Sequence, residues 1–392
     1  MNEIKIEDYN YILPDNLIAQ TAIEPRDASK LLVYKKNGIQ HSFFNKLDTF
    51  IPENAQLFFN NAKVIPARIF LSNENNANIE VFLLQPFKQD YFSSLNNTEK
   101  TKWECLIGNK KKWDAEQMLS INIDNTIINF FQKENNVVEI SWNSGLPFVE
   151  ILNLIGKMPL PPYIKRTANE NDISRYQTIY SKNEGSVAAP TAGLHFTISV
   201  LDNLKTAGAT LNYLTLHVSA GTFLPVKVEN AADHDMHKEY FSINKQCLEN
   251  ILKDGSKIAV GTTSIRVLES IYWCGVKLYL KRENPFIIEK LIAYQLSEIE
   301  NLPNLPLAIT TLIEYLEKEK KGEIEGETSI LIMPGYQFKI VEGLITNFHQ
   351  PKSTLILLIA ALVGEDWRKI YNEALKNNYR FLSYGDSSLL LS

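Results

Sequence analysis

The sequence predicts an α/β fold: an α/β domain with a mixed sheet and helices, interrupted by an inserted small six-stranded β-barrel. Three observations carry this. The 392 residues exceed the ~150 of a typical domain, and 45% apolar with 22% charged residues are ordinary globular values. Between Val64 and Trp142, short strand-like segments crowd together between Asn- and Gly-bearing turns. From Leu211 onward strands alternate with helices, which requires helices packed on a sheet. The expected boundaries are residues 1–62 and 151–392 for the discontinuous α/β domain and 63–150 for the barrel.

The elements follow in chain order. Met1-Asn2-Glu3-Ile4-Lys5-Ile6-Glu7-Asp8 is acidic and lacks the apolar run of a signal peptide. Residues 64–71, 79–84, 103–107 and 137–142 are rich in β-branched and aromatic side chains, and residues 118–123 and 126–131 complete six strands. Gly185-Ser186-Val187-Ala188-Ala189-Pro190-Thr191-Ala192-Gly193-Leu194-His195-Phe196-Thr197 is a run of small residues ending in a helix N-cap. Such a run lets backbone N–H groups approach a ligand closely, or packs a loop tightly on a sheet. Residues 211–218 alternate, placing the aliphatic Leu214, Leu216 and Val218 toward the core and His217 on the polar face. Ser219-Ala220-Gly221-Thr222 then follow at the strand's C-terminal end, where open α/β sheets bind ligands.

His234-x-x-His237-x-Glu239 offers zinc-type donors but is not HExxH, so hydrogen bonding or acid–base work is preferred and no metal is expected. Val260-Gly261-Thr262-Thr263-Ser264-Ile265-Arg266 reads as strand, turn and helix start, with amides and hydroxyls that can cradle an anion or simply cap. A helix is expected from residue 264 to 273, and residues 302–327 read as a solvated helix with a mobile flank. Residues 337–346 are strand-like, and Thr346-Asn347-Phe348-His349-Gln350-Pro351-Lys352-Ser353 leads into an apolar helix capped by Ser353. Residues 380–384 close as a strand before Tyr384-Gly385-Asp386.

Composition narrows the classes. The longest strongly apolar run, residues 355–363, falls well short of the ~20 that span a bilayer, so a soluble cytoplasmic protein is expected. Three cysteines are too few for a disulfide framework. The net charge of −5 argues against coating nucleic acid. Residues 151–275 nevertheless carry 12 basic and 11 acidic groups, and residues 333–392 carry 6 and 5, so the motif-bearing segments are slightly basic. The whole-chain charge therefore does not exclude contact with a single nucleic-acid loop.

Taken together the motifs resemble the S-adenosylmethionine:tRNA ribosyltransferase-isomerase family of queuosine biosynthesis. The resemblance runs nearly end to end. It rests on Arg26-Asp27-Ala28-Ser29-Lys30-Leu31-Leu32, Met158-Pro159-Leu160-Pro161-Pro162-Tyr163, Arg175-Tyr176-Gln177-Thr178 and the runs at residues 188–197, 215–223, 259–270, 344–354 and 379–386. It implies S-adenosylmethionine as co-substrate, with no prosthetic group. The ribosyl moiety is transferred and isomerised onto 7-aminomethyl-7-deazaguanine in the tRNA anticodon, giving epoxyqueuosine-tRNA, adenine and methionine. A monomer is expected.

The site residues expected on this basis are His195 or His217 as general base, with Asp386 and Arg266 orienting ligand groups. Arg175, Tyr176, Gln177, Pro190, Thr191, Ala192, Gly193, Gly221, Thr222, His237, Thr262, Thr263, Asn347, His349 and Tyr384 are expected to bind substrate. Arg68, Lys110, Lys111, Lys112, Lys165 and Arg166 are expected to meet tRNA phosphates. The sequence departs from the family at Asn61-Ala62, where Asp-Thr is usual, and over the elongated residues 276–327. A non-catalytic tRNA-binding relative and a conventional methyltransferase are the rival readings.

Overall fold

The computed structural model describes residues 3–36, 38–114, 116–219, 226 and 228–391. Its strands are β1 (Lys30–Lys35), β2 (Gly38–Phe43), β3 (Gln56–Asn60), β4 (Ala62–Val64), β5 (Arg68–Ser72), β6 (Asn78–Pro86), β7 (Lys100–Gly108), β8 (Met118–Ile123) and β9 (Thr126–Gln132). They continue as β10 (Val137–Trp142), β11 (Asn183–Ser186), β12 (Thr210–Leu216), β13 (Glu239–Asn244), β14 (Lys257–Val260), β15 (Ile287–Ile288), β16 (Glu323–Thr328), β17 (Gly343–Asn347) and β18 (Ser387–Leu391). The helices are α1 (Tyr91–Asn96), α2 (Phe148–Ile155), α3 (Glu170–Arg175), α4 (Ile198–Thr206) and α5 (Lys245–Ile251), then α6 (Thr262–Tyr279), α7 (Ile292–Leu296), α8 (Leu305–Glu319), α9 (Thr354–Val363) and α10 (Asp366–Lys376).

Ten strands form one mixed sheet in the order β15-β16-β13-β12-β3-β14-β17-β18-β1-β2. At its centre β12, β3, β14 and β17 run parallel, so their C-terminal ends share one edge. Helices cover the sheet and bury its aliphatic side chains, as the alternation of strand and helix requires. Six antiparallel strands, in the order β5-β6-β7-β10-β9-β8, form the barrel-like sheet with its own core around Trp103, Phe130 and Phe148. It is nearly closed: β5 and β8 come into contact without pairing.

Several local expectations change. The strand expected over residues 64–71 is two strands, because Pro66 cannot donate to a ladder. The strand expected at residues 380–384 is a turn; the closing strand is β18, whose Ser387 and Ser388 hydroxyls reach the carbonyl of Thr346 at 3.4 and 3.1 Å. Residues 302–327 are no solvated appendage. α8 buries Ala308, Ile309, Leu312 and Leu316 against α6, and β16 pairs with β13. At the departure from the family, Asn61 accepts from Thr215 Oγ1 at 2.8 Å and Ala62 pairs with Asn183 beside β11. Among the described residues no helix is long and apolar enough to cross a membrane.

The barrel meets the large sheet through a ring stack. Tyr91, at the start of α1, lies over His217 with centroids 4.7 Å apart and 21° between planes. Gly185 makes this approach possible. It has φ +133°, and a Cβ there would lie 2.8 Å from Tyr91 Cδ1 and 3.0 Å from His217 Nδ1. Gly185→Ala should therefore cost at least about 2 kcal/mol, read as a lowered urea midpoint. An unchanged midpoint would show that this contact does not hold the barrel in place.

Candidate functional site

The shared C-terminal edge of the parallel strands holds a cavity. Most of its lining comes from four segments. Residues 188–192 supply a wall of small side chains, and Val218 follows β12. Gly261, the N-cap of α6 at φ +88°, turns the chain so that Thr262, Thr263 and Arg266 face inward from the first turns of the helix. Thr346, Asn347, His349 and Gln350 leave β17, and Ser353 caps α9 through its hydroxyl. Two helix N-termini thus open on one space, which gives it a positive potential.

Three polar groups on this wall lack partners among the described residues: Thr263 Oγ1, Asn347 Oδ1, and Nε with Nη2 of Arg266. Buried groups of this kind are almost always satisfied, so each is open to a ligand group or a water. Arg266 Nη1 donates to Glu239, itself buried and accepting the Ser219 N–H at 3.2 Å. The remaining guanidinium edge, Nε and Nη2, has the fork geometry that takes a carboxylate.

The histidines divide by their partners. His195 does not line the cavity. Its Nε2 accepts from Asn347 Nδ2 at 3.1 Å, which leaves Nδ1–H to donate to Ser29 Oγ at 2.8 Å. Both nitrogens are engaged, so His195 orients Asn347. His217 lies outside the cavity, under Tyr91, and not on a solvated face as expected. His349 does line the cavity. Its Nε2 bonds Thr346 Oγ1 at 2.9 Å, and its Nδ1 has no partner among the described residues. Burial lowers the pKa of His195 to about 3 and those of His217 and His349 to about 4.

These folded pKa values lie below the ordinary 6.5, so the unfolded chain protonates first as pH falls. Stability is expected to drop between about pH 6.5 and 4, with each buried histidine contributing about 1.4 kcal/mol per pH unit. Urea midpoints measured across that interval check this, and His217→Phe should flatten the slope by roughly one third.

Other expected residues are placed elsewhere. Asp386 is buried and accepts the backbone N–H groups of Lys30 at 3.1 Å and Arg380 at 2.8 Å, so it fixes a turn, and it does not line the cavity. Arg175 pairs with Glu24 at 3.1 Å, Tyr176 is wholly buried against Tyr384, and Gln177 bridges both backbone groups of Val64. Tyr384 donates to Asp172 at 2.8 Å, and Gly193 packs on Tyr180. None of these reaches the cavity. Pro190, Thr191, Ala192, Thr262, Thr263, Arg266, Asn347 and His349 do. Gly221 and Thr222 lie outside the described residues.

His237 borders a second cavity, which shares Arg266 and Leu355 with the first. Among the described residues no three His, Cys, Asp or Glu side chains gather as a metal site. Of the basic residues, Arg68 is paired with Glu80 at 2.9 Å and Arg166 grips Asp172 through two bonds of 2.6 and 2.7 Å, so both are committed internally. Lys110, Lys111 and Lys112 form an exposed turn, with Lys110 on Asn136, and Lys165 is exposed beside Asp15.

Sequence reasoning missed Tyr163, Ser383 and Leu382 as cavity residues. Tyr163 and Ser383 join their hydroxyls at 2.6 Å across 220 positions of sequence. Leu382 holds φ +70°, a conformation uncommon for any residue but glycine and characteristic of functional clefts. The only available signal was their place within unusual motifs.

Comparison with known proteins follows the geometry. The family described as "Queuosine biosynthesis protein" matches residues 6–390. An S-adenosylmethionine:tRNA ribosyltransferase-isomerase from Sulfurihydrogenibium sp. (strain YO3AOP1) is 38% identical over 396 residues, covering 99% of this chain and 100% of that protein. A crystal structure of S-adenosylmethionine tRNA ribosyltransferase from Thermotoga maritima is 24% identical with a TM-score of 0.47, covering 98% of this chain and 100% of that one.

Proposed function

The chain belongs to the queuosine biosynthesis protein family, and on that premise we propose that it uses S-adenosylmethionine as a ribosyl donor to tRNA. It transfers and isomerises the ribosyl moiety onto 7-aminomethyl-7-deazaguanine in the anticodon, and releases adenine and methionine. The observation that carries this reading is the cavity itself. Small side chains admit a planar base and a sugar, while the Thr263 hydroxyl and the Asn347 amide oxygen lack protein partners among the described residues.

The sulfonium acidifies the adjacent C5′ hydrogens of the co-substrate. His349 is neutral at physiological pH, and its Nδ1 is the base that takes one of them, in place of His195 and His217. Adenine departs, the amine of the tRNA base attacks the sugar skeleton, and methionine leaves as the epoxide closes. His195 is a positioning residue that holds the Asn347 amide, whose Oδ1 accepts from a ligand donor. Lys111, Lys112 and Lys165, being exposed, remain the groups that meet tRNA phosphates, while Arg68 and Arg166 serve the fold.

The departure at Asn61-Ala62 is no argument for a non-catalytic relative, since neither residue lines the cavity. The test is to incubate protein, S-adenosylmethionine and tRNA bearing the deazaguanine precursor. Free adenine is expected. S-adenosylhomocysteine would identify a methyltransferase instead, and binding of tRNA without turnover would identify a non-catalytic relative.

A further inference from the structure

The second cavity is unexplained by the nucleoside chemistry. It is lined by Met236, Ile330, Leu331, Ile332, Leu355 and Leu358, with Asp235, Glu239 and Arg266 among its polar groups. Among the described residues the first cavity has no carboxylate in its lining. The two share Arg266 and Leu355, so they adjoin at these residues. Arg266 is 6% exposed, and its Nε and Nη2 lack partners among the described residues. Its Nη1 is already held by Glu239.

We propose that the second cavity is an amino-acid compartment that seats the methionine half of the co-substrate, and later the methionine product. This rests on the ribosyl-donor reading above and adds where each half lies. An α-amino acid with a thioether chain needs three things: a fork for its carboxylate, an anion for its ammonium and an apolar wall for its chain. Arg266 supplies the first through Nε and Nη2. Asp235, an exposed carboxylate on the rim, supplies the second. Met236, Leu331 and Leu358 supply the third.

Among the described residues the first cavity has no acidic side chain in its lining for the ammonium, and the second has Asp235. Separate compartments also let adenine and methionine depart independently.

The test uses the full chain with L-methionine, L-methioninol and adenosine as probes in calorimetric titrations. Methionine and adenosine are expected to bind together, neither weakening the other more than about twofold. Methioninol, lacking the carboxylate, should bind at least about tenfold more weakly, a difference of about 1.4 kcal/mol. Asp235→Asn should weaken methionine about tenfold, and Met236→Trp, which fills the cavity from its partly exposed side, should abolish it. Adenosine affinity should stay within about twofold in both variants.

Competition between methionine and adenosine would overturn the compartment. So would methionine affinity unchanged in both variants, or no methionine binding by the wild type. Failure of the underlying reading has a different signature: no adenine is released from S-adenosylmethionine and precursor tRNA, whatever the titrations give.

Discussion

Arg266→Met is expected to abolish adenine release and to destabilise the protein by about 3–5 kcal/mol, because it strands the buried Glu239 carboxylate without its cation. The two effects separate in a second variant. Arg266→Met with Glu239→Gln removes the stranded charge and keeps a carbonyl for the Ser219 N–H. Most of the lost stability should return, as read by urea midpoints, while adenine release stays undetectable. Recovery of both together would mean that Arg266 serves only the fold. The reason to expect otherwise is geometric: Nη1 satisfies Glu239, while the opposite edge has no protein partner among the described residues.

His349→Gln should lower the rate of adenine release by roughly 10²–10⁴-fold, the range of a lost general base. Its amide can still bond Thr346 Oγ1, so stability should fall by no more than about 1 kcal/mol. The pH profile discriminates base from positioning residue. Burial lowers the His349 pKa to about 4, so the group is already deprotonated at neutral pH and loses its base form only as pH falls through that value. Wild-type adenine release should therefore be flat between about pH 6 and 8 as far as this group is concerned. A wild-type limb falling through pH 6.5 that vanishes in His349→Gln would place the pKa elsewhere. Near-wild-type rates in His349→Gln would remove it from the chemistry.

Much of the architecture was legible because it rests on local pattern. Strand–helix alternation announced the mixed sheet, and short strands between Asn-rich turns announced the barrel. The cavity loops were legible too, as runs of small and hydroxyl-bearing residues at strand ends. What sequence could not show is pairing between distant segments. His217 was correctly set off from the aliphatic face of β12, yet its surroundings come from Tyr91 on the barrel. His195 stood in the most unusual motif, but Ser29 and Asn347 occupy both of its nitrogens.

Arg175, Tyr176 and Gln177 look like recognition residues in isolation. Their side chains are taken up by Glu24, by the buried contact with Tyr384 and by the Val64 backbone. Chemistry-bearing residue types are thus legible, and whether their polar atoms are free is not. β18 was missed for a related reason: nothing local to Ser387 and Ser388 shows that their hydroxyls reach the Thr346 carbonyl.

The ribosyl-donor reading is tested most directly by following labelled carbon. S-adenosylmethionine carrying the label in its ribose is expected to transfer it to precursor tRNA, while the same compound labelled in its methyl group should leave the tRNA unlabelled and release labelled methionine. Methyl label in the tRNA, or ribose label recovered only in S-adenosylhomocysteine, would contradict it.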